Sequence, residues 1–357
     1  SNLPFTGPTY PLDRTAPVVA SITRVSASPT NAAAVQFAVA FSENVTGLTA
    51  SDFNLTPGGG LGGTPAITSV SGAGTNWLVT VTTGTGDGTL ALDLANSAGV
   101  ADAAGNPLGN VPFAGAVYTL DRTAPTVVSI VNLDPILTNA ATVRYAVTLS
   151  EIVTGLSAAN FVATGSGSLA SVLPIAAITG SGTSWTITVD TGTGSGTLGL
   201  SLANSTGATD DAGNPLSNVP AFGPNYTIDR IAPTAVISPA DANPTSAASV
   251  QFAVVFSKTI TGLTAANFAL TAGGGLGGSP AITGVSGSGA NWIVTASTGT
   301  GSGDLTLTLV NSAGVTDTTG NSVANLPSAG SYTLDRTGPN VTMTSTSSEP
   351  TNDSPIH

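Results

Sequence analysis

Acidic side chains are scarce in this chain, and where they occur they recur. Asp13, Glu43 and Asp102 are followed by Asp121, Glu151 and Asp210 or Asp211, and then by Asp229, Lys258 and Asp317. An asparagine stands just behind the third position each time: Asn106, Asn214 and Asn321. Carboxylates gathered in one place repel one another unless a cation sits among them. The donors are all oxygen. The chain has no Cys, and its one His, His357, is the last residue. Hard oxygen ligands of this kind suit calcium. The third set breaks the pattern, because Lys258 stands where the glutamates stood. Either that site is lost, or the ammonium takes the ion's place among the same carboxylates. A second reading needs no metal: Arg14, Arg122 and Arg230, each beside a linker aspartate, neutralise the acids through ordinary salt bridges.

The elements that position these residues are counted by a short motif. Asp-Arg-Thr-Ala-Pro begins at Asp13 and Asp121 and returns with one change each at Asp229 and Asp335, at spacings of 108, 108 and 106 residues. A period that long is a whole small domain, not a solenoid turn. The expected domains are 13–120, 121–228 and 229–334. Residues 1–12 match the tail of each repeat, and 335–357 open like another. They are expected to be the last strand of a preceding domain and the first strand of a following one, in a longer polypeptide.

Within the first repeat, Val18–Val25 is expected to open as a strand. Val35, Phe37, Val39 and Phe41 alternate with smaller or polar residues, which is the period of a half-buried strand. Thr-Gly-Leu-Thr-Ala-Ser-Asp-Phe suggests a bend with a single helical turn, then a strand at 53–56. Further strands are expected at 66–70, 77–82, 89–94 and 116–120, with a long loop between 95 and 113 carrying Asp102. Trp77, Trp185 and Trp292 alternate with Val and Ile and are expected as core anchors. Seven strands in about 108 residues and no amphipathic helix describe an all-β, immunoglobulin-like antiparallel sandwich. In such a sandwich the start of the first strand shares a pole with the loop after the second strand and the loop joining the last two. That pole would gather the linker Asp with the two later acids. Domains joined pole to pole would form an extended rod, on the order of 120 Å for three at the usual rise of a strand. A calcium at each joint would stiffen it.

Phe-Ser-Glu-x-Val-Thr-Gly, a Trp-bearing strand, Asp-x-x-Gly-Asn and Asp-Arg-Thr-Ala-Pro together resemble bacterial Ig-like domains, over the whole chain. The resemblance implies a tandem array in a large bacterial surface protein or biofilm adhesin: an extracellular stalk, often rigidified by calcium at its linkers. The implied ligands are Asp13, Glu43 and Asp102, then Asp121, Glu151 and Asp210. Lys258 departs from the pattern.

Composition narrows the alternatives. Only 7% of residues are charged, against a usual ~25%, yet 41% are hydrophobic, so each repeat can build a core. A net charge of −12 argues against a nucleic-acid partner. No apolar run approaches the ~20 residues of a membrane span. With no Cys and a terminal His, no nucleophile has a base to activate it, so an enzyme is not expected. Arrays of carbohydrate-binding modules are a weak alternative, since the few aromatics fall at repeat-equivalent positions. The stronger alternative is a subunit of an extracellular filament or sheath, in which identical chains share strands along edges that carry few charges.

Overall fold

A computed structural model of the chain describes residues 6–344. In the first repeat the strands are β1 (Val19–Arg24), β2 (Ala34–Val45), β3 (Phe53–Gly58), β4 (Ala66–Thr82), β5 (Gly88–Leu94) and β6 (Val117–Leu120). They form two antiparallel sheets, β1-β2-β4 and β3-β5-β6. The two strands expected at 66–70 and 77–82 run on as one long β4. The corresponding stretch of the third repeat is two strands, Ile282–Ser288 and Asn291–Ser297, paired with each other. The leading segment changes sheets: β1 pairs with β2, whereas Thr30 bridges Leu120 in parallel. The fold is an all-β tandem array of immunoglobulin-like sandwiches.

The register follows the alternation. Val35, Phe37 and Val39 face Val81, Val79 and Trp77 across β2 and β4. Leu90 faces Tyr118 across β5 and β6. All but Trp77 are buried, and each large side chain so placed contributes about 2–3 kcal/mol of burial. Trp77 is half-buried at the margin of this core, its indole N–H donating to Gly74 O at 3.1 Å. The ring of Tyr118 meets Phe37 edge-on at 5.1 Å, and its hydroxyl donates to Gln36 O and accepts from Val25 and Ser26 N–H. Tyr226 and Tyr332 repeat the arrangement. The expected helical turn is Ala50–Asp52, capped by Thr49.

The second repeat builds its first sheet from Val127–Asn132, Thr142–Val153 and Ile175–Asp190. The third builds one from Ala235–Pro239, Ser249–Phe256 and the two strands named above. The chain divides into two compact units. The first holds everything up to Ile136, with Ala141–Gly192 and Thr197–Tyr226; the second holds Leu137–Ala140, Thr193–Gly196 and everything from Thr227. The linker at 121 and the residues around it fall wholly in the first unit, and those around 229 wholly in the second. The strands expected in 1–12 and 335–357 lie partly outside the described residues. What is described of them, 6–12 and 335–344, is in no strand. The amide of Asp335 still donates to Thr245 O, and among the described residues no ladder continues beyond it.

Candidate metal centre

The pole is built by one close approach. Just past β2, Thr46 and Ala101 exchange backbone hydrogen bonds of 2.9 and 3.2 Å. This fastens the strand end that carries Glu43 to the loop that carries Asp102. Gly47 makes the approach possible. It has φ +86°, and a β-carbon there would run into the Gly99 carbonyl. Gly155 and Gly262 stand in the same relation to Gly207 and Gly314, which explains the repeated Thr-Gly-Leu.

The loop then closes on its own aspartate. Asp102 Oδ1 accepts from the amides of Ala104 (2.9 Å) and Asn106 (2.8 Å), and Oδ2 accepts from Asn106 Nδ2 at 2.7 Å. The same Asn106 Nδ2 reaches Asp13 O at 3.3 Å, and Gly109 N–H donates to Pro17 O at 2.8 Å, so the linker is drawn over the loop. Asp13 Oδ1 accepts from Thr15 N–H. The second repeat copies each part with Asp210, Ala212, Asn214, Asp121 and Thr123.

The outcome is two clusters, Asp13–Glu43–Asp102 and Asp121–Glu151–Asp210. In each, one carboxylate oxygen from every residue lies within 4.8 Å of the others. Burial, and then the neighbouring carboxylates of Asp13 and Asp102, push Glu43 above the usual glutamate range. Burial, Asp121, Asp210 and Asp87 do the same to Glu151. Asp102 is held low, chiefly by its bond from the Asn106 side chain. Two oxygens on one calcium, each at about 2.4 Å, stand at most about 4.8 Å apart. Spacing, charge and the all-oxygen donor set therefore fit a calcium ion.

The third cluster holds a cation of its own. Lys258 Nζ donates to both oxygens of Asp229 (2.8 and 2.7 Å), to Asp317 Oδ2 (3.2 Å) and to the carbonyl of Ile231. Asp317 is again the loop aspartate, bonded by Asn321 N–H and Nδ2. The desolvation of Lys258 is outweighed by hydrogen bonds and attraction from Asp229 and Asp317, so its pKa rises. Asp317 falls well below the usual carboxylate range: bonds from Asn321, Thr319 and Lys258 outweigh its desolvation.

Of the other expected ligands, Asp211 is exposed on the rim of a depression that Pro29, Asp121, Glu151 and Asp210 also line. Asn106, Asn214 and Asn321 stand behind the clusters, their amides turned to a carboxylate and to the linker carbonyl. The Arg122 guanidinium reaches back to Gly86 O, Ala32 O and Thr83 Oγ1 of the preceding repeat. Arg336 does likewise with Gly301 O, Ala247 O and Thr298 Oγ1. The linkers at Asp121 and Asp229 are thus tied forward at their Asp and backward by their Arg. Asp87, which sequence reading missed, accepts from Arg122 N–H and Thr123 Oγ1; Ser195 and Ser302 bond Arg230 and Arg336 N–H in its place. Asn31 and Asn139 were also missed. Their signal is a shared Thr-Asn pair at the same place in two repeats. His357 lies outside the described residues.

No protein-family model and no curated protein matches the chain. Solved structures to which it is similar include FdeC, an Escherichia coli adhesin: 13% identity, 88% of this chain, 96% of that one, TM-score 0.38. The I9–I11 tandem of titin matches at 10% identity over 88% of this chain and 98% of that one, TM-score 0.28. The S-layer protein rSbsC(31-844) matches at 14% identity over 91% of this chain and 55% of that one, TM-score 0.28.

Proposed function

We propose that this chain is a length of structural repeats in a large bacterial surface or secreted protein, a stalk that holds a functional tip away from the cell, with joints stiffened by calcium. One observation carries the reading: the same three positions converge at three joints, twice as carboxylates with no basic side chain bonded to them among the described residues and once around the ammonium of Lys258. A structural position that demands a positive charge in one copy supports a cation in the others. The linker Asp belongs to each cluster, so an ion there ties the linker to the body of the following repeat. The partners of each domain are its neighbours in the same chain.

Calorimetric titration of the chelator-stripped chain with calcium is expected to show two binding events per chain, and calcium at a hundred times Kd is expected to stabilise each joint by about 2.7 kcal/mol. Absence of both heat and any melting shift overturns the calcium reading. Sedimentation distinguishes the stalk, a monomer, from the filament subunit, which assembles.

A further inference from the structure

At the joint at Asp121 one side chain reaches from the first repeat into the loop of the second that carries the cluster aspartate. Asn31 Nδ2 donates to Asn214 Oδ1 at 3.1 Å, and Asn31 N–H donates to Ala212 O at 3.1 Å. Asn139 Nδ2 donates to Asn321 Oδ1 at 3.2 Å. The recipient amide is the one whose Nδ2 already bonds the cluster aspartate (Asp210 or Asp317) and the linker carbonyl (Asp121 or Asp229). Its two ends therefore have opposite duties: the nitrogen orients the acidic cluster, and the oxygen holds the repeat behind. It cannot turn over without losing both. Gly213 and Gly320 stand beside these asparagines in the left-handed region at φ +92°, a conformation that favours glycine. Ser246 stands at the corresponding place in the third repeat, too short to reach as an amide does.

We infer that Asn31 is a positioning residue that couples the acidic cluster of the second repeat to the orientation of the first. The inference rests on the calcium reading for the joint at Asp121. An ion that fixes Asp210 fixes Asn214, and through it Asn31; by reciprocity, loss of Asn31 weakens the ion.

The chain has no Cys, so two introduced ones are uniquely labelled. Spin labels at Ser69→Cys and Ala176→Cys, both exposed sites on different repeats, report the orientation of the first repeat against the second as a distance distribution. With calcium, Asn31→Ala is expected to broaden that distribution at least twofold and to weaken calcium at this joint three- to tenfold. Asn31→Ser, the residue native to the third repeat, serves as a second variant, and an unchanged melting temperature shows that the repeats stay folded. Asn139→Ala should leave this label pair untouched. An unbroadened distribution in both Asn31 variants overturns the inference, as does broadening with calcium affinity intact. A wild-type chain that takes up no calcium, with the same distribution in calcium and in chelator, is a separate result: the calcium reading fails, and the coupling falls with it.

Discussion

The joints at Asp121 and at Asp229 share one backbone plan and differ in how their charge is balanced. At the first, Asp121, Glu151 and Asp210 stand together with no basic side chain bonded to them among the described residues, and Asp87 adds to the negative field at Glu151. At the second, Lys258 spans Asp229 and Asp317, and a serine replaces Asp87. The same loop, linker and orienting asparagine serve both. Scaffold and charge balance are therefore separable: the fold brings the oxygens together at both joints, and one side chain decides whether the chain itself supplies a cation to them.

Exchanging that side chain is the strongest way to break the comparison. Protection of the linker amides against hydrogen exchange, residues 121–126 against 229–234, reads each joint separately. In the wild type, chelation is expected to lower protection at 121–126 by up to a hundredfold, the equivalent of about 2.7 kcal/mol, and to leave 229–234 unchanged. Glu151→Lys should make the first joint indifferent to chelator. Lys258→Glu should loosen the second joint in chelator and make it respond to calcium. If Lys258→Glu stays indifferent to calcium, the two joints do not share a plan, and the cation reading of the first loses its internal control.

Acidity separates the joints with a smaller effect of opposite sign. Glu151 has its folded-state pKa raised above 4.5, by burial first and the neighbouring acids next. Its contribution favours the folded joint below pH 4.5 and is lost as pH climbs through the raised value. In chelator, the first joint should therefore tighten on acidification. Asp317 is lowered from 3.8, so its contribution is present above pH 3.8 and lost as pH falls through the lowered value. Lys258 is raised from 10.5, so its contribution is present below pH 10.5 and lost as pH rises past the folded value. The second joint should be flat across neutral pH and loosen at both extremes. Melting curves in chelator from pH 3 to 7, on variants in which only one cluster is intact, should move by a few degrees in opposite directions. With calcium present the first joint reverses, because protonation of Glu151 expels the ion. Slopes of the same sign in chelator would erase the distinction.

Much of this was legible in the residues. Alternation in Val35–Phe41 and its two copies fixes strands because the period of a strand is 2, and the spacing of Asp-Arg-Thr-Ala-Pro fixes the repeats. Glu43, Glu151 and Lys258 were legible as equivalents because repetition aligns them without help. What the sequence left open depends on direction. Asp210 and Asp211 are adjacent and chemically alike; only the loop, closing on the amides of Ala212 and Asn214, turns the first inward. The asparagines carry ligand oxygens on paper; in the structure it is their Nδ2 groups that meet the loop carboxylate and the linker carbonyl, a duty that spacing does not reveal. Arg122 sits beside an aspartate and bonds carbonyls, because its long side chain lies back against the preceding repeat. Asn31 and Asp87 act on a different repeat from their own, and no pattern within one repeat announces a contact with the next.

Asp87 is the finest test of the difference between the joints. Asp87→Ser gives the first joint the residue that the second already uses, where Ser195 Oγ accepts from Arg230 N–H at 2.8 Å. The linker amide keeps an acceptor, so stability should change by no more than about 0.5 kcal/mol. The carboxylate's hydrogen bonds from Thr123 and Arg122 hold its pKa low and point it at the linker. It acts on Glu151 by its charge, from an exposed position where salt screens it, and it ranks behind burial, Asp121 and Asp210 among the influences on that glutamate. Calcium affinity at this joint should therefore fall about twofold in low salt, and by less at 0.15 M. A tenfold loss that persists in salt would mean that Asp87 touches the ion. The cluster would then have four carboxylates, and the joints would differ in ligand number as well as in the source of their cation.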